Sequence, residues 1–187
     1  MKYGLRKLER ADLPLILKWR NRADIRKYMI DDHIISREKH AAWFDGRTER
    51  GDDLWLFCMD GRPWGATCFT DFDKTARSCA WGFYIGAPDA AKGAGSVLGC
   101  LSMEYIFNER DIVRIKSQVL APNAASAALH KNLLFVETGR ALGKIKRPDG
   151  IHDLIFFELA KGDWEKGKAA VWQAALERLG RGARDGL

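Results

Sequence analysis

Ser78-Cys79-Ala80-Trp81-Gly82-Phe83-Tyr84-Ile85 is an apolar run that stops at Gly86-Ala87-Pro88 and passes through Ala91-Lys92-Gly93-Ala94-Gly95-Ser96 into a second apolar stretch of helical spacing. The reading is a strand, a tight glycine turn and a long helix running from about Gly95 to Phe107. Two glycines let the backbone come close to a ligand. The first amides of the helix carry the partial positive charge of aligned peptide dipoles, and Lys92 adds a full one, so a pyrophosphate matches this turn chemically. A lone Gly-x-Gly is more often a packing device, so its meaning depends on what flanks it.

Upstream, Trp55-Leu56-Phe57-Cys58-Met59 is a buried-strand run, Asp60-Gly61 a strong hairpin turn, and Trp64 to Phe69 the returning strand. With Ser78 to Ile85, after the polar bend Asp71-Phe72-Asp73-Lys74-Thr75, these predict three sequential antiparallel strands. Downstream, Ile115 to Leu120 reads as a strand and Asn123 to Leu133 as a helix with Asn123 at its N-cap. Phe135 to Ile145 reads as a strand interrupted by Gly139 and Gly143, Pro148-Asp149-Gly150 as a turn, and Leu154 to Phe157 as the last strand. At the N-terminus a strand over Leu5 to Leu8 leads to Asp12, placed to cap a helix with Pro14 in its first turn. Asp24 is placed to cap a short turn through Met29, and Ser36 a helix bearing His40, Trp43 and Phe44. The class is mixed α/β. Residues 163–179 form an amphipathic appendage with Trp164, Val171, Trp172, Ala175 and Leu179.

The chain has 187 residues, 47% of them hydrophobic, which suits one core; the division expected is a domain over 1–160 and a helical extension over 161–187. No apolar run approaches the roughly 20 residues a membrane helix needs. The N-terminal residues lack a secretory h-region, which predicts a cytoplasmic home. Cys58, Cys68, Cys79 and Cys100 show no Cys-x-x-Cys spacing, and His33, His40, His130 and His152 are scattered, so reduced core thiols and no metal are expected. The net charge of +6 admits nucleic acid, an anionic membrane or a polyanionic small molecule. The basic residues are interleaved with acids, as over Arg47 to Asp53, which favours the small polyanion over nucleic acid or membrane.

The order strand, glycine turn, long helix, strand, then Asn123-x-x-Ser126-x-x-Leu129-His130-x-Asn132-x-Leu134-Phe135 resembles the GNAT N-acetyltransferase superfamily. That family's turn follows Gln/Arg-x-x-Gly-x-Gly/Ala, and its later segment often reads Asn-x-x-(Ser/Ala)-x-x-Leu-Tyr-x-Lys-x-Gly-Phe. The likeness runs to about Leu159. Three positions depart: Ala90 replaces Gln or Arg, His130 replaces Tyr, and Leu134 replaces Gly. The resemblance implies a mostly antiparallel central sheet flanked by helices, with two splayed strands holding acetyl-CoA. Phe83, Tyr84 and Ile85 would offer main-chain groups to pantetheine as an added strand would. Lys92, Gly93, Ala94, Gly95 and Ser96 would cradle the pyrophosphate, with Asn123, Ser126 and Lys131 near the cofactor arm.

By the same resemblance His130 would take the place of the tyrosine that protonates the leaving thiolate. Equally, it reads as a partly exposed helix residue packing on the cofactor. Gln118 stands where an acidic base is frequent; an amide accepts no proton at useful pH but can position water. Asp71, Asp73 and His40 are the replacement bases considered.

Trp19-Arg20-Asn21, Ile25-Arg26-Lys27-Tyr28-Met29, Ile35-Ser36 and His40-x-x-Trp43-Phe44 make the N-terminal third similar to the acceptor side of nucleotide-sugar acetyltransferases of pseudaminic acid synthesis for flagellin. On that likeness Arg20 and His40 would face a UDP diphosphate, Tyr28 and Met29 would shape the sugar pocket, and Thr70 and Asp71 would complete it. The apolar members of the segment read equally as two helix faces packed on the sheet. The expected activity is acetyl transfer from acetyl-CoA to an amine, with a UDP-amino sugar as acceptor. A ribosomal-type protein N-terminus or a polyamine is the alternative within enzymes, and an idle acyl-CoA-binding module the alternative outside them. A homodimer through the C-terminal helix is also open.

Overall fold

Seven strands form one sheet in the order β1-β2-β3-β4-β5-β7-β6 in this computed structural model, which describes residues 2–147 and 149–184. They are β1 (Tyr3–Lys7), β2 (Asp53–Met59), β3 (Arg62–Asp73), β4 (Ser78–Ile85), β5 (Arg114–Leu120), β6 (Val136–Arg147) and β7 (Gly150–Ala160). All neighbours pair antiparallel except β4 and β5, which run parallel. Asp60 and Gly61 turn the first hairpin, both with positive φ (47° and 78°), which matches the backbone twist of the flanking strands.

Helices cover both faces. On one lie α1 (Leu13–Arg20), α2 (Ala23–Arg26) and α3 (Arg37–Glu49), and Leu13, Ile16, Trp19 and Ile25 pack there against Leu54, Leu56 and Ala66. On the other lie α4 (Ala94–Glu109), α5 (Ala124–Asn132) and α6 (Lys161–Arg184), enclosing Phe57, Phe69, Trp81 and Phe157. The predicted appendage is this last helix, and Trp164, Ala175 and Leu179 are buried in the chain's own core. Trp172 stacks on Tyr3, ring centroids 6.0 Å apart, so the apolar stripe of α6 is used within the chain.

Local chemistry departs from the sequence reading at a few points. Ser36 caps α3 by accepting from Lys39 N at 3.3 Å, and Asn123 caps α5 by accepting from Ser126 N at 3.1 Å, as expected. Asp12 makes no cap to α1. Its carboxylate takes Arg6 (2.6 Å) and Glu9 N (2.9 Å) instead, which pulls it away from the helix amides. Asp24 lies in the first turn of α2 rather than before it, paired with Arg22. The glycines of β6 do not interrupt it; the strand runs through with bulges at Glu137/Gly139 and Ala141/Ile145. Pro148 of the predicted turn and residues 185–187 of the predicted extension lie outside the described residues. No described helix is long and apolar enough to cross a membrane.

One feature of the register positions the site. The β4–β5 ladder holds for Ser78↔Arg114, Cys79↔Ile115 and Ala80↔Lys116 and then stops, although both strands continue. Beyond Ala80 the outer edge of β4 is free and a V-shaped gap opens. Ser117 Oγ stands at the apex, 3.0 Å from the Trp81 carbonyl.

Candidate active site

The glycine turn sits at the head of α4. Gly93 is the N-cap, with φ of 94° in the left-handed region, which a glycine adopts at little cost. Ala94 N bonds Ala91 O and Ser96 N bonds Gly93 O, whereas no bond forms from Gly93 N or Gly95 N among the described residues. No side chain caps the helix. Free amides on the axis of a long helix are the donor set a phosphate requires, so the turn fits the pyrophosphate of acetyl-CoA. A Cβ on Gly95 would make only ordinary contacts, with Leu129 Cδ2 at 3.5 Å and Ile85 Cγ1 at 3.7 Å. Phe83, Tyr84 and Ile85 lie on the unpaired edge of β4, where main-chain groups are available. Asn123 spends its carbonyl oxygen on the helix cap, and Ser126 and Lys131 follow on α5, Lys131 exposed.

His130 is not partly exposed. Its ring is buried to 1% exposure, with Nδ1 2.8 Å from Ser126 O and Nε2 2.8 Å from Ser117 Oγ. It stacks on Phe157 and meets Trp81 and Phe135 edge-on. The Ser126 carbonyl accepts, which assigns the neutral ring's proton to Nδ1; Nε2 then accepts the single Ser117 hydroxyl proton, which is no longer available to the nearby Trp81 carbonyl. Burial holds the imidazole below its usual pKa, against a smaller opposing effect of Ser126, so it rests neutral near pH 7. The expectation that His130 is partly exposed is thereby corrected. The i−4 carbonyl and the Ser117 hydroxyl satisfy both nitrogens inside the protein.

On the α1–α3 side of the gap lies a cavity of about 570 Å³, walled by Trp43, Arg47, Thr70, Asp71, Ser117 and Gln118, among others. Its carboxylates are Asp71 and Glu158, and Glu158 is engaged by Arg114 at 2.9 Å. Asp71 accepts from Thr70 Oγ1 at 3.0 Å and has a φ of 53°, an uncommon conformation for a residue with a side chain. Asp73 does not line this cavity; its carboxylate holds the Thr75 and Ala76 amides of the following turn. Nor does His40, which is buried against Trp43 with ring centroids 5.2 Å apart. Of the three replacement bases, Asp71 alone faces the cavity. Glu158, Lys116, Ser117 and Ile30 were missed, although the alternation of core Phe157 with Glu158 along β7 could have signalled the first. Cys68 also lines the cavity, but burial pushes its thiol up to about 11, which keeps it protonated and unreactive.

A second polar region lies behind α1 and α3. Arg20 Nη1, His40 Nδ1, Tyr84 OH and two nitrogens of Arg147 (Nε and Nη2) are buried and form no hydrogen bond. The other ends are anchored: Arg20 Nη2 donates to Asp31 O, and Arg147 Nη1 to Lys27 O at 2.7 Å. Burial lowers the Arg20 pKa, Asp31 and Tyr84 oppose this, and Arg26 and Arg147 add repulsion. His40 is held below its ordinary value by burial and then by the Arg20 charge. Beside them an open basin of about 640 Å³ is lined by Arg26, His33, Lys146 and Arg147, with Asp32. Orphaned buried polar groups are costly, and four side chains here carry them together. Tyr28 is 39% exposed under Lys27 Nζ and Met29 packs on the Leu13–Ile16–Trp19–Leu56 cluster; neither lines the cavity or the basin described above. Among the described residues, one group has metal-ligand spacing, Asp31, Asp32 and His33; Asp31 and His33 are exposed and hydrogen-bonded to each other.

Residues 2–136 match the acetyltransferase (GNAT) domain family. Among curated proteins, "Putative ribosomal N-acetyltransferase YdaF" of Bacillus subtilis is 26% identical over 106 residues, 57% of this chain and 58% of that one. The chain therefore spans under two thirds of that relative's length. Acetyltransferase PseH of Campylobacter jejuni is 29% identical over 124 residues, 66% of this chain and 76% of that one. The solved spermidine N-acetyltransferase of Vibrio cholerae, in complex with CoA and spermine, superimposes with a TM-score of 0.80 at 19% identity, covering 87% of this chain and 97% of that one. At that identity the likeness speaks for the fold.

Proposed function

Because this chain belongs to the GNAT acetyltransferase family, whose members draw an acetyl group from acetyl-CoA, we propose that it N-acetylates an anionic acceptor, the 4-amino group of a UDP-linked amino sugar. The observation that carries this reading is the set of unpartnered buried donors from Arg20, His40, Tyr84 and Arg147 on the acceptor side. A diphosphate supplies several acceptor oxygens, and guanidinium pairs with them in a bidentate fork. A polycation such as spermidine would be repelled by Arg20, Arg26 and Arg147. The likeness of the N-terminal third to nucleotide-sugar acetyltransferases points the same way.

Acetyl-CoA, when bound, supplies the activated acetyl thioester. The protein's own part is to hold the acceptor amine in the cavity at the V and to take its proton. Asp71 is the carboxylate on that wall without a cationic partner among the described residues, and it is the proposed base. Gln118 orients water or the amine through its amide. Ser117, fixed between the Trp81 carbonyl and His130 Nε2, places a hydroxyl at the apex of the gap. The aromatic side chains Trp43 and Phe156 wall the cavity and restrict water. A second reading, a protein N-terminus as acceptor, draws on Asp71 and Glu158, which could receive an ammonium group.

The test offers the purified protein acetyl-CoA with a UDP-4-amino sugar, spermidine or an N-terminal ribosomal peptide, and follows free thiol. Release with the nucleotide sugar supports the proposal. Turnover of spermidine or the peptide in its place would sink the anionic acceptor, and tight cofactor binding without turnover would indicate an idle module.

A further inference from the structure

The family match ends at residue 136, and α6 lies wholly beyond it, yet the far end of this helix rests on the glycine turn. A Cβ on Gly93 would come 2.6 Å from Leu179 N and 2.8 Å from Arg178 C. A Cβ on Gly182 would run into the Lys92 main chain. Main chain therefore meets main chain at two places, a closeness that glycine on both sides permits. Leu179 is 4% exposed, so the contact is anchored in the core.

The packing builds a third wall onto the space between α4 and α5. A groove of about 190 Å³ there is lined by Ser96 from the head of α4, Leu129 and Asn132 from α5, and Val171, Ala174 and Arg178 from α6. Its floor is apolar, and its polar groups are a hydroxyl, an amide and one guanidinium. Arg178 is half-buried and has no acidic partner among the described residues, whereas Arg181, one turn position on, is exposed and reaches toward Glu177 at 4.0 Å. On a wall shared with Ser96 of the α4 head, Arg178 is a cation without an anion among the described residues. The turn itself carries Ala90 where a longer polar side chain is usual in the resembling family, so a cation from another element would restore what the turn lacks.

We propose that Arg178 of α6 binds a phosphate of the acetyl-CoA seated on the glycine turn, making the C-terminal helix part of the cofactor site. This rests on the acetyl-CoA reading above. The pyrophosphate and the 3′-phosphate present the same chemistry to a guanidinium, and each is within the logic of a groove that leads away from the helix head.

The test is calorimetric binding of CoA and of 3′-dephospho-CoA to the full chain and to Arg178→Met, which keeps the aliphatic stem against the apolar floor. A lost charge-assisted hydrogen bond predicts CoA binding weaker by about ten-fold or more. Equal weakening with both ligands places Arg178 on the pyrophosphate; weakening with CoA alone places it on the 3′-phosphate. Arg178→Lys should recover part of the loss, as a point charge does. Unchanged affinity for both ligands in Arg178→Met, with an unchanged melting temperature, overturns the inference. Failure of the unaltered protein to bind CoA would instead overturn the cofactor reading on which it stands.

Discussion

The two halves of the proposed site are built from different material. The cofactor half is mostly main chain: the free edge of β4 and the amides of Gly93 and Gly95, positioned by one strand, one turn and one helix that are contiguous in sequence. The proposed acceptor half is side chain: Arg20 from α1, His40 from α3, Tyr84 from β4 and Arg147 from the end of β6, brought together across 127 positions of sequence, each with a buried polar atom that forms no hydrogen bond. A main-chain site tolerates substitution as long as the backbone path survives. A side-chain site is rewritten by single changes. The difference teaches where specificity can vary while the chemistry is retained, and each half can be broken separately.

The largest effect is expected at Gly93→Val. A β-branched residue at φ of 94° is strained by about 1–3 kcal/mol, and its Cβ would meet the α6 main chain at 2.6 Å, so the turn or the helix must move. CoA binding should fall below detection by calorimetry, with a lowered melting temperature. Retained affinity would show that the amide cradle is misplaced. Next, Asp71→Asn should reduce kcat about 100-fold with little change in CoA affinity, the size typical of a lost general base. A variant that turns over normally would shift the base to Glu158 or to water held by Gln118. Third, Arg20→Met should raise KM for the UDP-amino sugar by about 10- to 100-fold and leave CoA affinity unchanged, read by steady-state kinetics beside calorimetry. If CoA affinity falls instead, the two halves are not separable in the way their construction suggests.

This contrast also explains how much could be read from the chain alone. The strand-turn-helix from Ser78 to Phe107 was legible because its signals are local: an apolar run, a glycine pair, a helical period. So were the caps Ser36 and Asn123, which act over three residues. The Arg20–His40–Tyr84–Arg147 cluster was only half legible, since no periodicity links residues brought together by tertiary packing; Tyr84 entered as a main-chain contributor and Arg147 not at all. Asp12 misled because a long-range ion pair with Arg6 outcompeted a local cap. The amphipathic stripe of α6 announced a helix, but its landing on Gly93 depends on helix length and on where β7 ends. The place of His130 on a helix is local, while its burial is decided by Ser117, Trp81 and Phe157 on three different strands.

The smallest effect sharpens that last point. His130 is buried neutral, with its folded pKa below an unfolded value near roughly 6.5. Above that value neither state binds the proton and the residue is silent. As pH falls through it, the unfolded chain takes up a proton that the folded protein refuses, so stability is lost, by at most about 1.4 kcal/mol per pH unit. His130→Phe, measured by denaturant melts between pH 7 and 5, should flatten the profile while sparing CoA affinity. His40 belongs to the other half and obeys the same sign, being depressed by burial and by Arg20. An anion bound beside Arg20 would offset that repulsion and raise the His40 pKa. In the His130→Phe background, the remaining acid loss should therefore shrink when the UDP-amino sugar is present at saturation, beyond the uniform shift that binding itself gives. A nucleotide sugar that stabilises the variant equally at pH 7 and pH 5 would show that the orphaned donors around Arg20 and His40 do not receive its phosphates.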